Sequence, residues 1–266
     1  MATVSIELVD GVARATVLRA GAYLRPRLLG IDGPRVRIAL VGVCATLLAG
    51  DDLRVEVAVG SGAHLELVEP SGMVAYDARG GHQRWAADVH VETGGSLVWS
   101  AAPFVVAGGA DVDRRTGIVL DDGAVALLSE TLVLGRSGEE GGGLRSKLRC
   151  ALAGRDLLVE ELDLRSPELR KAPGILGDCR VLATAALLGV PPGERVSPPG
   201  TPLAGPGSIA RSLAPHAHSA DEALRGTWER WRRFVASNTA AGPTAEPGGE
   251  DEPRGNPDRA GVFSVT

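Results

Sequence analysis

Aromatic residues make up only 3% of this 266-residue chain, so valine, leucine and alanine must fill whatever core it has. It holds three cysteines, Cys44, Cys150 and Cys179, an odd number without CxxC spacing. That fits reduced thiols better than a disulfide framework. The longest apolar runs, such as Val181–Val190, are far short of a membrane span. The first residues, MATVSIELVDGVARATV, carry an early acid and no apolar signal core, so a cytoplasmic protein is expected. A formal net charge of −5 argues against nucleic acid or an anionic membrane as the main partner. Equally absent are GxGxxG after a strand, GxxxxGK[ST] and GxSxG, the usual scaffolds of nucleotide binding and hydrolysis.

Present instead are 36 glycines and a pattern repeated four times: alternating strand, Gly- or Asp-rich corner, second alternating strand. The copies are Asp52–Pro70, Asp88–Pro103, Thr116–Gly135 and Lys147–Leu164. Their corner glycines, Gly62, Gly95, Gly123 and Gly154, lie 33, 28 and 31 residues apart. A period of two, as at Val55, Val57 and Val59, marks strands with one buried face. Recurrence near 30 residues predicts stacked units that share a continuous core. The expected fold is therefore mainly β, stacked strand repeats of solenoid or sandwich type with about two helices.

Outside the repeats, Thr3–Leu8 and Ala13–Arg19 read as a hairpin around Asp10-Gly11, and Arg35–Val43 as a further strand. Pro167–Gly174 is a turn-rich break, and Cys179–Val190 a strand or short buried helix. Residues 191–206 are too rich in proline and glycine for regular structure. Leu224, Trp228, Trp231 and Val235 recur at helical spacing, predicting an amphipathic helix over 221–235 capped by Ser219 or Asp221. Trp228 and Trp231 either pack on the β-body or meet a partner. The whole of 1–236 is expected to form one domain. Residues 237–266, polar, acidic and rich in proline and glycine, are expected to be a disordered tail.

Candidate chemistry is sparse. His64, His82 and His90 lack ligand spacing, and only His216 with His218 has a chelating look. Ser129-Glu130 and Cys150 are conceivable nucleophiles, but no histidine is placed beside them by sequence. Two constellations stand out: Gly50-Asp51-Asp52, which opens the first repeat, and the glycine-rich loop from Gly135 to Gly143, with Arg136 beside Glu139 and Glu140. An Asx turn and a solvated loop with a local ion pair are their ordinary readings.

In order along the chain these pieces resemble the urease accessory protein family known as UreD or UreH. Gly50-Asp51 matches the Gly-Asp that introduces its alternating valine strand, and Gly62–Leu67 the following turn. Glu69–Tyr76, with Pro70 and Tyr76, resembles its Pro-to-Tyr element. Gly94–Trp99 ending in Pro103 and Gly135-Arg136 with Gly138-Glu139 resemble two later motifs. Departures are Ala45–Ala49 in place of a glycine pair, Glu69 and Val74 in place of Thr and Lys, and a shortened Gly-Arg to Gly-Glu spacing. Its Ala-, Gly- and Arg-heavy usage resembles that of divergent actinobacterial members.

The resemblance implies a non-enzymatic chaperone of urease maturation. Such a protein binds apo-urease and, through a helical partner (UreF), recruits a GTPase (UreG) so that nickel enters the urease active site. It implies no tightly bound cofactor. Transient Ni²⁺ contacts would fall on carboxylates, foremost Asp51 and Glu139, with Asp52, Glu66 and Glu130 as further candidates. A non-catalytic β-sandwich or β-solenoid binding module, or an acyltransferase-like left-handed β-helix enzyme, is the alternative.

Overall fold

The computed structural model describes residues 1–44, 46–190 and 200–238. The chain opens with two hairpins, β1 (Ala2–Val9) with β2 (Val12–Arg19) and β3 (Leu24–Asp32) with β4 (Arg35–Gly42). A short β5 (Thr46–Leu47) leads into a succession of coils. These comprise β6 (Asp52–Val59), β7 (His64–Val68), β8 (Met73–Ala75), β9 (Gln83–Val91), β10 (Ser96–Ser100), β11 (Phe104–Val106), β12 (Asp111–Leu120) and β13 (Val125–Leu134). Then come β14 (Gly143–Leu152), β15 (Arg155–Asp163), α1 (Pro167–Arg170), β16 (Val181–Leu188), β17 (Gly200–Pro202), β18 (Gly207–Ala214) and α2 (Ala217–Asn238).

The fold is mainly β with two helices, as the repeat pattern predicts, but the repeats are not hairpins. In the first three copies the corner carries the chain from one sheet to the other. Strands β6, β9, β12 and β14 stack in parallel in a seven-stranded sheet, while β4, β7, β10 and β13 do so in an eleven-stranded one. Each coil thus pairs with the coil before it. The fourth copy differs: β14 and β15 form an antiparallel hairpin within one sheet.

Register locates the corners. His64 pairs with Ser96, and Ser96 with Val125, so the equivalent glycines are Gly62, Gly94 and Gly123. All three have left-handed φ, +67°, +67° and +70°, which only glycine adopts cheaply. The expected corner Gly95 is one residue late: it is the neighbour Gly94 that turns.

Alternation does the rest. In β6 Leu53, Val55, Val57 and Val59 are buried, facing Leu65 and Leu67 of β7 across the interior. A continuous cluster from Ala2 to Ile209 joins both sheets. On the outer side of the eleven-stranded sheet, α2 packs on β16, β18 and β13. It buries Ala220, Leu224 and Val235, with Trp228 and Trp231 partly buried against the same clusters. Packing on the body is therefore the arrangement of the tryptophan face.

The helix begins at Ala217, so neither Ser219 nor Asp221 caps it. Asp221 instead accepts a 2.8 Å hydrogen bond from Thr131 Oγ1 on β13. The break after residue 166 holds the one-turn α1, capped by Ser166. Cys179–Val190 resolves into strand β16. Ser237 and Asn238, expected to begin the tail, instead extend α2; the rest of that tail, from residue 239 on, and most of the proline-rich stretch (191–199) lie outside the described residues. No described helix is long and apolar enough to cross a membrane.

Candidate functional site

Between strands β7 and β8, and between β10 and β11, the eleven-stranded sheet breaks side by side at Pro70 and Pro103, where the missing N–H of proline interrupts a ladder. The Pro103 carbonyl accepts from Met73 N at 3.1 Å and holds the two breaks together. Beneath them lies a polar group uncommon in an interior so rich in valine. Glu69 Oε1 accepts from Trp99 Nε1 at 2.9 Å, and Oε2 from Ala102 N at 3.3 Å. Glu69 is half-buried as a residue while its carboxylate is enclosed; burial pushes its pKa up, and Arg114 partly offsets this.

Arg114 is the centre of the group. It occupies an inward position of β12 between Val112 and Thr116 and is 6% exposed. Its guanidinium lies 3.5 Å from the Trp85 ring centroid and 5.1 Å from that of Phe104. Its Nε donates to Glu130 Oε1 at 2.5 Å. A buried cation is thus matched by a carboxylate and by aromatic faces. Cavities of about 40 and 20 Å³ flank it, the first reaching Ser129 and Glu130, the second Glu69, Ser71 and Cys44. Both touch Trp85 and Arg114. Each exceeds the ~10–15 Å³ that one water requires. The arrangement is two small separate cavities between the sheets, with Trp85 and Arg114 in the wall of each.

The family-like corners gather at one edge of the stack, where each coil re-enters the seven-stranded sheet. Asp51 Oδ2 accepts from Leu48 N at 2.7 Å, closing a turn at Gly50, whose φ is +85°. Burial, together with the Asp51 carboxylate, pushes the Tyr23 pKa up to about 12. Asp52 pairs with Arg54 at 2.9 Å. At the other end of the edge, Glu139 is clasped by Arg136, through Nε at 2.8 Å and through Nη2, and accepts from the amides of Arg136 (3.0 Å) and Gly108 (3.2 Å). The Arg136 bond, helped by these amides, holds the Glu139 pKa down to about 2. Arg136 lies 5.1 Å from the Tyr76 ring. Gly135, at φ +88°, has no room for a side chain, since a Cβ would come within 2.5 Å of the Glu139 carbonyl. Tyr76, Gly135, Arg136, Gly138 and Glu139 therefore form one latch across neighbouring coils.

Asp51 and Glu139 are not neighbours. Their loops precede β6 and positions two to three strands along the stack, on the order of 10–14 Å away at the usual ~4.8 Å strand spacing. Glu66 lies elsewhere, on the outer face beside α2, where it accepts from Arg232 Nη2 at 2.6 Å. His64 faces Ser96 Oγ at 3.0 Å, His90 faces Asp121 at 3.2 Å, and His216 stacks on His218 with centroids 5.5 Å apart. Among the described residues no three of His, Cys, Asp and Glu are grouped to hold a metal ion. All three cysteines are free, and burial pushes the Cys150 thiol up to about 12, which fits an inert thiol.

Comparison with known proteins decides the family. The family model "UreD urease accessory protein" matches residues 27–246. The chain belongs to the UreD family. It is 50% identical over 218 residues to urease accessory protein UreD 1 of Streptomyces griseus, covering 82% of this chain and 86% of that one. UreD 1 of Saccharopolyspora erythraea is 35% identical over 199 residues (72% and 77% coverage), and UreD of Parafrankia sp. 35% over 239 (78% and 80%). It is accordingly an accessory protein of urease maturation and not a catalyst. Within the UreD fold the Arg114 group escaped sequence reasoning because its members come from five separate strands and the loop after β7. An arginine at an inward position of an alternating strand, Val112-Asp113-Arg114-Arg115-Thr116, was the signal that could have found it.

Proposed function

We propose that this UreD protein acts in the cytoplasm as a scaffold that binds apo-urease, joins a UreF-like helical partner and through it a UreG-like GTPase, and gives Ni²⁺ a route to the urease active site. The observation that supports the route is the pair of small cavities between the sheets, one edged by the carboxylate of Glu130 and the other by that of Glu69. Carboxylate oxygen and water suit a divalent ion held weakly enough to move on. No closed ligand set is required, since a passing ion needs successive weak sites and a tight one would trap it. Arg114 competes with the ion for Glu130, so passage requires that guanidinium to swing aside. Asp51 and Glu139, at the mouths of the coils, would serve the ion only by giving up bonds that hold their turns.

The test is complementation in a strain lacking this protein, with nickel per urease measured alongside urease activity and co-purification of the partners. Urease subunits should be present but nickel-poor without the protein, and loaded once wild type is restored. Glu130→Gln should restore co-purification but leave urease short of nickel, as should Asp51→Ala with Glu139→Ala if that double variant folds. Normal activity in the deletion strain would overturn the proposed role. Full loading by Glu130→Gln would overturn the route while leaving the scaffold intact.

A further inference from the structure

Helix α2 does not cover its side of the eleven-stranded sheet completely. Between its last turns and strands β3, β4, β7 and β10 runs a groove of about 940 Å³. Its floor carries Val98 and Trp228 beside His64 and Ser96. Its rim is cationic: Arg35, Arg37, Arg232 and Arg233 stand against Asp32, Glu66 and Glu229. Glu66 is shared, at 2.6 Å from Arg232 Nη2 and 3.6 Å from Arg37 Nε. One carboxylate serving two guanidinium groups leaves hydrogen-bond donors and positive charge in excess. A local cationic rim is unexpected on a chain of net charge −5.

The chain itself supplies matching anions. Arg35 Nη2 donates to the Ala236 carbonyl at 3.0 Å, pinning the final turn of α2 to β4 at the groove. Residues 239–266 carry Glu246, Glu250, Asp251, Glu252 and Asp258 against two arginines. The acidic run 250–252 lies beyond residue 246, where the family match stops, so nothing in the shared UreD pattern accounts for it.

We propose that Glu250, Asp251 and Glu252 bind in cis to the arginine rim of this groove and mask it from other acidic segments. Eleven residues lie between Asn238 and Glu250, a reach of up to ~40 Å, so the tether does not limit the contact. A short flexible tether gives millimolar effective concentration, enough for carboxylate–guanidinium contacts that would be weak between separate molecules. Being exposed, they should weaken as salt screens them.

The test uses the full chain and a fluorescent hexaglutamate peptide at low salt. The variant Glu250→Gln, Asp251→Asn, Glu252→Gln should bind it about tenfold more tightly than wild type, because the tethered competitor has been neutralised. Adding Arg233→Glu should abolish that binding. Arg233 donates to the Glu229 carbonyl of its own helix, so the exchange spares the packing of α2, which circular dichroism would verify. Hydrogen exchange across residues 35–37 and 232–236 should be slower in wild type than in the neutralised variant. Equal peptide affinity for the two proteins overturns the proposal, as does binding indifferent to Arg233→Glu. Protection that disappears on dilution would assign the groove to a second copy of the chain and also overturn it.

Discussion

Removing Arg114 should cost far more than an arginine on a protein surface. The side chain is 6% exposed, covers the Trp85 ring at 3.5 Å and satisfies Glu130, itself 27% exposed. Breaking a buried pair by deleting one partner costs about 3–5 kcal/mol. The partial exposure of Glu130 lets water reach its carboxylate and cuts this to about 2 kcal/mol, to which loss of the desolvated cation–π contact adds about 1 kcal/mol. Arg114→Met should therefore lose about 3 kcal/mol, a fall of roughly 6–12 °C in Tm for a chain of this size. The assay is urea unfolding followed by tryptophan fluorescence, in a double-mutant cycle with Glu130→Gln. Each single variant leaves one group unsatisfied, whereas Arg114→Met with Glu130→Gln leaves an apolar side chain beside a neutral amide. The double variant should recover at least about 1 kcal/mol of the summed losses. Additive losses would show that the two residues do not act as a unit and would refute the reasoning.

Glu69→Gln should change the pH profile of stability in a defined sense. A carboxyl whose folded pKa is raised binds its proton more tightly in the folded state, so wild type loses stability as pH rises from about 4.5 through that folded value; the variant lacks this loss and should gain on wild type over the same window. Glu139 behaves oppositely: its folded pKa of about 2 means that the latch is fully held above about 4.5 and loosens as pH falls toward 2, seen as faster hydrogen exchange at the Gly108 and Arg136 amides. Gly94→Ala puts a side chain at φ +67° in open space and should cost about 1–2 kcal/mol by thermal melting. Gly95→Ala should cost more, because its Cβ would come within 2.9 Å of the Glu92 carbonyl. Of the three thiols, Cys150 should be the last to react with an aromatic disulfide reagent, doing so only on unfolding.

The strands were legible because one buried face forces a period of two, and β6, β9 and β12 show it without interruption. Which sheet each strand joins was not legible. An arc between sheets and a hairpin within one carry the same alternation, so Gly62 and Gly154 look alike in sequence yet turn into different partners. Strand β3 escaped notice because Leu24–Asp32 does not alternate, contains Pro26 and slips register between Leu28 and Gly30. Helix α2 was readable from Leu224, Trp228, Trp231 and Val235, all four facing the body. Its start was not, because Asp221 is used by Thr131 and not as a cap. The latch of Arg136 and Glu139 lies within four residues and could be suspected from sequence. The Arg114 group could not, since folding alone brings Glu69, Trp85, Trp99 and Glu130 to one place.

Because every inner strand pairs in parallel with the one about 30 residues earlier, a growing chain can lay each coil on the last as it leaves the ribosome. Each such partial product ends in a bare row of amides and carbonyls, a template that would accept any extended polypeptide nearby. Only the reversals of direction at β15 in one sheet and β16 in the other bring that growth to a stop. A nascent chain halted near residue 135 would thus present β12 and β13 as open edges, which β14 and β16 cover only later.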